Sequence, residues 1–253
     1  VIKCGGSVLI DPNLFDIFIQ DIVILKKLGL SPIIVHGGGK RINNRLSKLN
    51  IKSNFIKGLR VTDNKTIDIV EDVLIEFNKE IVEALTKLNC KAKKITTKEN
   101  NIITVIQENK DLGFVGTPTK INKELLTKTI KANEVPVVAP LGSNKDNQTF
   151  NINADTAAGS IAIELKARRL MIISDVEGVL DSGKKLIPEI NSKKANELIN
   201  QDIISGGMIP KIKNCLDVAS DGVKGVVIID GRKNHSLLFE LLSDKGSGTL
   251  IRE

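Results

Sequence analysis

"IIVHGGGKRIN", Ile33 to Asn43, sets three adjacent glycines between a short apolar run and an amphipathic one. An apolar run of strand length that passes through glycines into a helical period is the opening of a βαβ unit. The first N–H groups of a helix have no intrahelical partner and form an anion site there. A side chain would hold an anion away from that backbone. A tight turn needs only one glycine, so Gly37, Gly38 and Gly39 together point to the close approach of a phosphate or carboxylate.

Outward from this stretch the same alternation of short apolar runs and helical segments continues, which predicts an α/β fold with a mostly parallel sheet. Strands are expected at Val1–Cys4, 33–35, "VPVVAP" (135–140), "RLMIISD" (169–175) and "KGVVIID" (224–230). Helices are expected at 14–28 (closed by Gly29), 41–49, 64–88, 125–132, 154–166, 192–200 and 209–220. In the longest, Ile67, Val70, Val73, Leu74, Phe77, Ile81, Leu85 and Leu88 make one apolar stripe, with Thr62 or Asp63 available to cap it. Residues 102–121 read as a hairpin leaving the sheet, and "GSNKDNQT" as a polar turn cluster. No linker interrupts the chain, so two lobes on one continuous sheet are expected, divided near residues 150 and 151.

The 253 residues, 41% of them hydrophobic, suffice for such a core. Cys4, Cys90 and Cys215 are odd in number and far apart, which favours neither disulfides nor zinc and fits a reducing cytoplasm. No apolar run approaches membrane-spanning length. The net charge of +7 is spread over the chain and aromatics are 3%, with no Trp or Tyr, so the basicity reads as a solvated surface rather than a nucleic-acid interface.

Further residues carry chemistry. "KCGGS", Lys3 to Ser7, is a second glycine-rich strand exit, and its Lys3 reads equally as an edge-strand lysine in solvent or as a buried cation with an anionic partner. "GGMIPK" places Lys211 in the first turn of a helix, where a cation opposes the macrodipole and needs another purpose. In "FNINAD", Asp155 has N-capping as its routine explanation, whereas Asn151 has none. Arg60 in "GLRVTD" is a fork-shaped donor suited to a carboxylate, although surface arginines are common. A hydrolase oxyanion loop is a rival reading of "HGGG", but no G-x-S-x-G follows and only His36 and His235 are present. The P-loop pattern is also absent.

Together, "KCGGS", "VHGGG", "GLRVTD", "GFVGTPTKIN", "APLG", "FNINADTAAG", "SDVEGVL", "GGMIPK" and "GSGTLI" occur in the order found in the amino acid kinase family, which the chain resembles over nearly its whole length. The resemblance implies a three-layer αβα sandwich of the carbamate kinase-like type. It implies an N-terminal lobe (1–150) for the acyl amino acid and dimerisation, and a C-terminal lobe (151–253) for ATP, with Mg²⁺. By motif, Lys3 and Lys211 would neutralise the transferring phosphoryl group and Asp155 would orient both. Gly5, Gly6, Gly38 and Gly39 would offer N–H groups to phosphate and acceptor, and Arg60 and Asn151 would hold the substrate's α-carboxylate and acetamido end. Ser174, Asp175, Gly207 and Met208 would line the nucleotide site.

The pairing of "GLRVTD" with "NINAD" resembles the branch that phosphorylates N-acetyl-L-glutamate in arginine biosynthesis; the alternatives are a carrier-protein-bound or different acidic substrate, or a sensor that kept the fold without catalysis. A carboxylate acceptor, with a reference pKa near 4.3, is already ionised and needs no general base. A homo-oligomer is expected, a dimer, or a hexamer if an N-terminal helix exists. Two departures stand out: "KAKKITTKENN" replaces a Gly-Leu-Ser-Gly-like loop, and Lys245 stands where arginine-inhibited members carry an acidic residue. "DGRKNHSLLFELL", with His235 and Glu240, nevertheless resembles the inhibited type.

Overall fold

Lys3 lies on a strand at the centre of the main sheet, not at its edge. A computed structural model describes every residue except Ser7, so that end of the "KCGGS" motif lies outside the described residues. The chain runs through β1 (Ile2–Cys4), α1 (Pro12–Lys27), β2 (Ile34–His36), α2 (Gly39–Lys48), β3 (Phe55–Ile56), β4 (Leu59–Arg60), α3 (Asn64–Lys87), β5 (Ala92–Ile95), β6 (Ile103–Gln107) and β7 (Gly116–Ile121). It continues through α4 (Lys123–Lys131), β8 (Val135–Val138), β9 (Leu141–Ser143), β10 (Thr149–Asn151), α5 (Ala154–Glu164), β11 (Leu170–Ser174) and β12 (Glu189–Ile190). It ends with α6 (Ser192–Asn200), α7 (Met208–Ser220), β13 (Val226–Asp230), α8 (Ser236–Leu242) and β14 (Thr249–Ile251).

An eight-stranded sheet has the order β12-β14-β13-β11-β1-β2-β8-β5. From β13 to β5 every pairing is parallel, and β14 joins antiparallel to β13. Alternation along each strand builds two cores. Ile2, Cys4, Ile34, Met171, Ile173, Val227 and Ile229 face the layer of α1, α3 and α8. Val35, Ile172, Val226 and Ile228 face the layer of α5 and α7. The result is the expected three-layer αβα sandwich. Lys3, between Ile2 and Cys4, must therefore point toward α5.

Local sequence explains the helix ends. Asp11 caps α1 by accepting from the N–H groups of Asn13 and Leu14 with Pro12 just inside, and Gly29 ends it at φ +82. Asp63, rather than Thr62, caps α3. The α3 stripe from Ile67 to Leu85 is buried; of the stripe only Leu88 is exposed.

The hairpin expected at 102–121 is β6 and β7, but it belongs to a separate four-stranded sheet of order β10-β9-β6-β7. The polar turn cluster joins the other two strands, β9 and β10, and overlaps the end of one and the start of the other; their short length concealed them. The atypical "KITTKENN" stretch supplies the end of β5 and the loop after it, which packs around a buried carboxylate. Thr97 and Thr149 donate hydroxyl hydrogen bonds to the buried Glu71 Oε1 while Lys98 Nζ lies 3.2 Å from Oε2. Among the described residues no helix is long and apolar enough to cross a membrane.

Candidate active site

The parallel strands β1, β2 and β11 all end on one edge of the sheet, where open α/β folds place their ligands. At that edge two glycine turns lie backbone against backbone. A Cβ on Gly37 would sit 2.8 Å from Gly6 N, and one on Gly6 would sit 3.1 Å from Gly38 N. Gly38 caps α2 without any side-chain hydrogen bond, so the leading N–H groups of that helix stay open. Gly39 differs, because a Cβ there would meet nothing within 4 Å and would project beside a cavity of about 230 Å³.

That contrast gives a first prediction. Gly37→Ala places side chain against backbone and should lose about 1–3 kcal/mol of stability in urea unfolding. Gly39→Ala relieves helix-start entropy, so its unfolding midpoint should hold or rise, while KM for the acceptor rises about tenfold or more because the anion is pushed off the helix terminus. Equal stability losses in the two variants would contradict this geometry.

The cavity is lined by Lys3, Gly6, Gly38, Gly39, Arg60, Asn151 and Asp155, among others. Routine capping of α5 falls to Asn153, whose Oδ1 accepts from the N–H groups of Asp155 and Thr156, not to Asp155. Asp155 is thereby free for other partners. Its Oδ2 accepts from Lys211 Nζ at 2.8 Å, and Lys3 Nζ lies 2.9 Å from Oδ1, off the direction of a good hydrogen bond, as an ion pair. The three side chains are 11% (Lys3), 17% (Lys211) and 16% (Asp155) exposed. Burial alone would raise the Asp155 pKa, but Lys3 and then Lys211 outweigh it and hold the carboxyl at about 2. Because that lies below the ordinary 3.8, the triad contributes stability above pH 3.8 and loses it as pH falls toward 2.

Arg60 is buried, packed over the Phe55 ring at 4.8 Å, and donates to Ser53 Oγ and to Gly39 O. Asn151 donates from Nδ2 to Thr62 Oγ1 at 3.4 Å, and Thr62 donates in turn to Arg60 O. Two sequence-distant polar groups are thus tied to one rim.

A second cavity, about 430 Å³, opens between the end of β11 and the start of α7; Asp175, Gly178, Met208 and Arg232 line it. Arg232 grips Asp230 with Nε and Nη2 at 2.8 and 2.9 Å. Ser174 is buried and touches only Asp175 within this group, and Gly207 is exposed at the α7 cap, so neither lines the cavity. One expectation fails outright. Gly5 donates its N–H to Ile173 O at 3.0 Å as part of the sheet, so it has no donor left for phosphate. Among the described residues the Gly6 and Gly38 N–H groups have no acceptor.

Sequence reasoning missed Arg232 and Phe55. The first follows "IID" and the second stands ahead of Arg60, and neither position carries a spacing signal.

Paired ammonium groups lie beside bare backbone at the strand exits of a parallel sheet, an arrangement with the charge to receive an anion. The chain belongs to the amino acid kinase family, whose profile matches residues 1–230. It is similar to the acetylglutamate kinase of Pelagibacter ubique (strain HTCC1062), 84% identical over 253 residues that cover 100% of this chain and 88% of the relative. The acetylglutamate kinase of Bradyrhizobium sp. (strain ORS 278) is 44% identical over 267 residues, covering 100% of this chain and 90% of its own. The carbamate kinase from Giardia lamblia bound to AMP-PNP shares the fold with a TM-score of 0.73 at 15% identity, covering 100% of this chain and 97% of that one.

Proposed function

We propose that this protein transfers the γ-phosphoryl group of ATP to the side-chain carboxylate of N-acetyl-L-glutamate, giving N-acetyl-L-glutamyl 5-phosphate for arginine biosynthesis. The observation that carries this reading is the convergence of Lys3, from the first strand, and Lys211, from α7, on the single carboxylate of Asp155. Relatives named acetylglutamate kinase at 84% and 44% identity favour the free acid over a carrier-bound substrate.

The main obstacle to this reaction is repulsion between two anions. Two unit charges 4 Å apart repel by about 4 kcal/mol at the effective dielectric near a protein surface. Lys3 and Lys211 would offset that repulsion on the phosphoryl group, and the open end of α2 with Gly6, Gly38 and Gly39 would do so for the acceptor and the β-phosphate. Arg60 would hold the α-carboxylate, and Asn151 the acetamido group. No base is needed. His36 fits that conclusion, because it is fully buried and its pKa is lowered to about 4, chiefly by burial.

The acceptor would sit in the cavity on the 1–150 side, and the nucleotide in the one lined from the 151–253 side, with Asp175, Met208 and Arg232 around it. Asp155 is fully committed to two lysines, and no cluster of three or more metal-ligating side chains occurs among the described residues. This donor set fits a magnesium ion carried on the nucleotide's own phosphates, where it would supply further charge neutralisation. A homo-oligomer, a dimer or a hexamer, is part of this reading. Three free, buried cysteines fit a cytoplasmic setting.

The test is ADP release from MgATP with a panel of acids. Release should depend on N-acetyl-L-glutamate; turnover only with another acid would move the substrate assignment, and ligand-induced stabilisation without turnover would support a sensor.

A further inference from the structure

His36 opens the glycine triplet, and its ring takes no part in the chemistry described so far. Its two nitrogens nevertheless have fixed partners. Asn78 Nδ2 lies 2.9 Å from Val137 O and 3.1 Å from His36 Nε2, so the amide donates one hydrogen to each. Nε2 must then accept, which leaves the proton on Nδ1. That nitrogen lies 3.2 Å from Gly37 O, and the Nδ1–H donates to it. Asn78 Oδ1 is left buried without a partner, which shows that its amide is oriented for these two contacts at some cost. The His36 and Phe77 rings meet edge to face at 77°, with centroids 5.2 Å apart, and this contact holds the imidazole plane.

Gly37 C=O and Gly38 N–H belong to one trans peptide unit and point in opposite directions. Securing the oxygen toward the buried imidazole turns the Gly38 N–H the other way, toward the cavity. Gly6 keeps that side open, since a Cβ on it would lie 3.1 Å from Gly38 N. We infer that His36 is a positioning residue: its Nδ1–H fixes the Gly37–Gly38 peptide so that the Gly38 N–H is aimed at the group being phosphorylated or transferred. This deepens the kinase reading above and rests on it. The low pKa keeps the ring neutral near pH 7, as an Nε2 acceptor requires.

The two contacts can be separated by substitution. An asparagine amide reaches the place of Nδ1, and a glutamine amide the place of Nε2. His36→Asn should keep kcat within about fivefold, whereas His36→Gln, which keeps the Asn78 link and loses the Gly37 one, should lower kcat on the order of 10²-fold with KM for the acid moved less than about threefold. Thermal midpoints should follow the opposite order, with His36→Gln nearer the parent. A kcat that tracks stability across both variants overturns the inference. The acid used is whichever one the wild-type protein turns over, so a wrong substrate does not spoil the comparison.

If no acid is turned over, imidazole ¹⁵N shifts of the wild-type protein must still show a protonated Nδ1 and a bare Nε2. The Gly38 amide resonance must also move on adding ATP in the wild type and less so in His36→Gln. The reverse tautomer, or equal Gly38 responses, overturns the proposal.

Discussion

Lys211→Ala lowers kcat by at least about 10²–10³-fold, as loss of one preorganised transition-state donor does, and leaves the fold standing. The second half of that expectation comes from the ion triad. Removing Lys211 still leaves Asp155 with Lys3 at 2.9 Å, so no buried charge is stranded. Lys211 also sits in the first turn of α7, where a cation opposes the helix dipole, so its loss removes a small unfavourable interaction. Circular dichroism and the urea midpoint should therefore match the parent closely. Lys211→Arg should recover little, because a planar guanidinium cannot place a compact charge at the same point. Single-turnover rates with saturating MgATP and acid are the decisive measurement. A variant whose defect lies wholly in KM would mean that Lys211 holds the ground state and does not act on the travelling phosphoryl group.

The fold was legible because the period of apolar residues changes cleanly from two to nearly four along most of the chain. Strands such as Leu170–Ser174 and Val226–Asp230 are buried on both faces, and a continuous apolar run announces them. The strands that escaped notice are short or charged. Ala92–Ile95 reads "AKKI" because it is an edge strand next to β8 whose lysines reach solvent, and Leu141–Ser143 and Thr149–Asn151 are three residues each around a turn. The element following His235 was hidden for a similar reason, being only seven residues long.

The site divided differently. Lys3 alone was undecidable in the sequence, since a strand lysine is buried or exposed according to its neighbours; position between β11 and β2 decided it. Asp155 was obscured by Asn153 two residues earlier, because either could cap the helix, and only coordinates show which carboxamide or carboxylate takes the N–H groups. Gly5 and Gly6 look equivalent as letters. The sheet register claims the N–H of the first and leaves the second free.

Asp155→Asn should bind ATP more tightly and turn it over more slowly. In the free protein the carboxylate holds both ammonium groups, so an incoming phosphate competes with it for their protons and meets its negative charge. The isosteric amide removes both effects. The dissociation constant for ATP should fall about tenfold, equivalent to about 1.4 kcal/mol. kcat should nevertheless drop on the order of 10²-fold, because the lysines lose the anchor that sets their direction and small misplacement is costly. Without ligand, two mostly buried cations would face one another unneutralised, which should cost about 3–5 kcal/mol of stability; ATP would restore more of it in the variant than in the parent. The acid sensitivity shifts too. The parent loses the triad's contribution as pH falls from 3.8 toward 2, and the variant, already lacking it, should show a flatter profile there. Calorimetric titration with ATP decides the matter: weaker binding in Asp155→Asn would mean that the carboxylate recruits the nucleotide, and that its pairing with the lysines is not the restraint from which phosphate must take them.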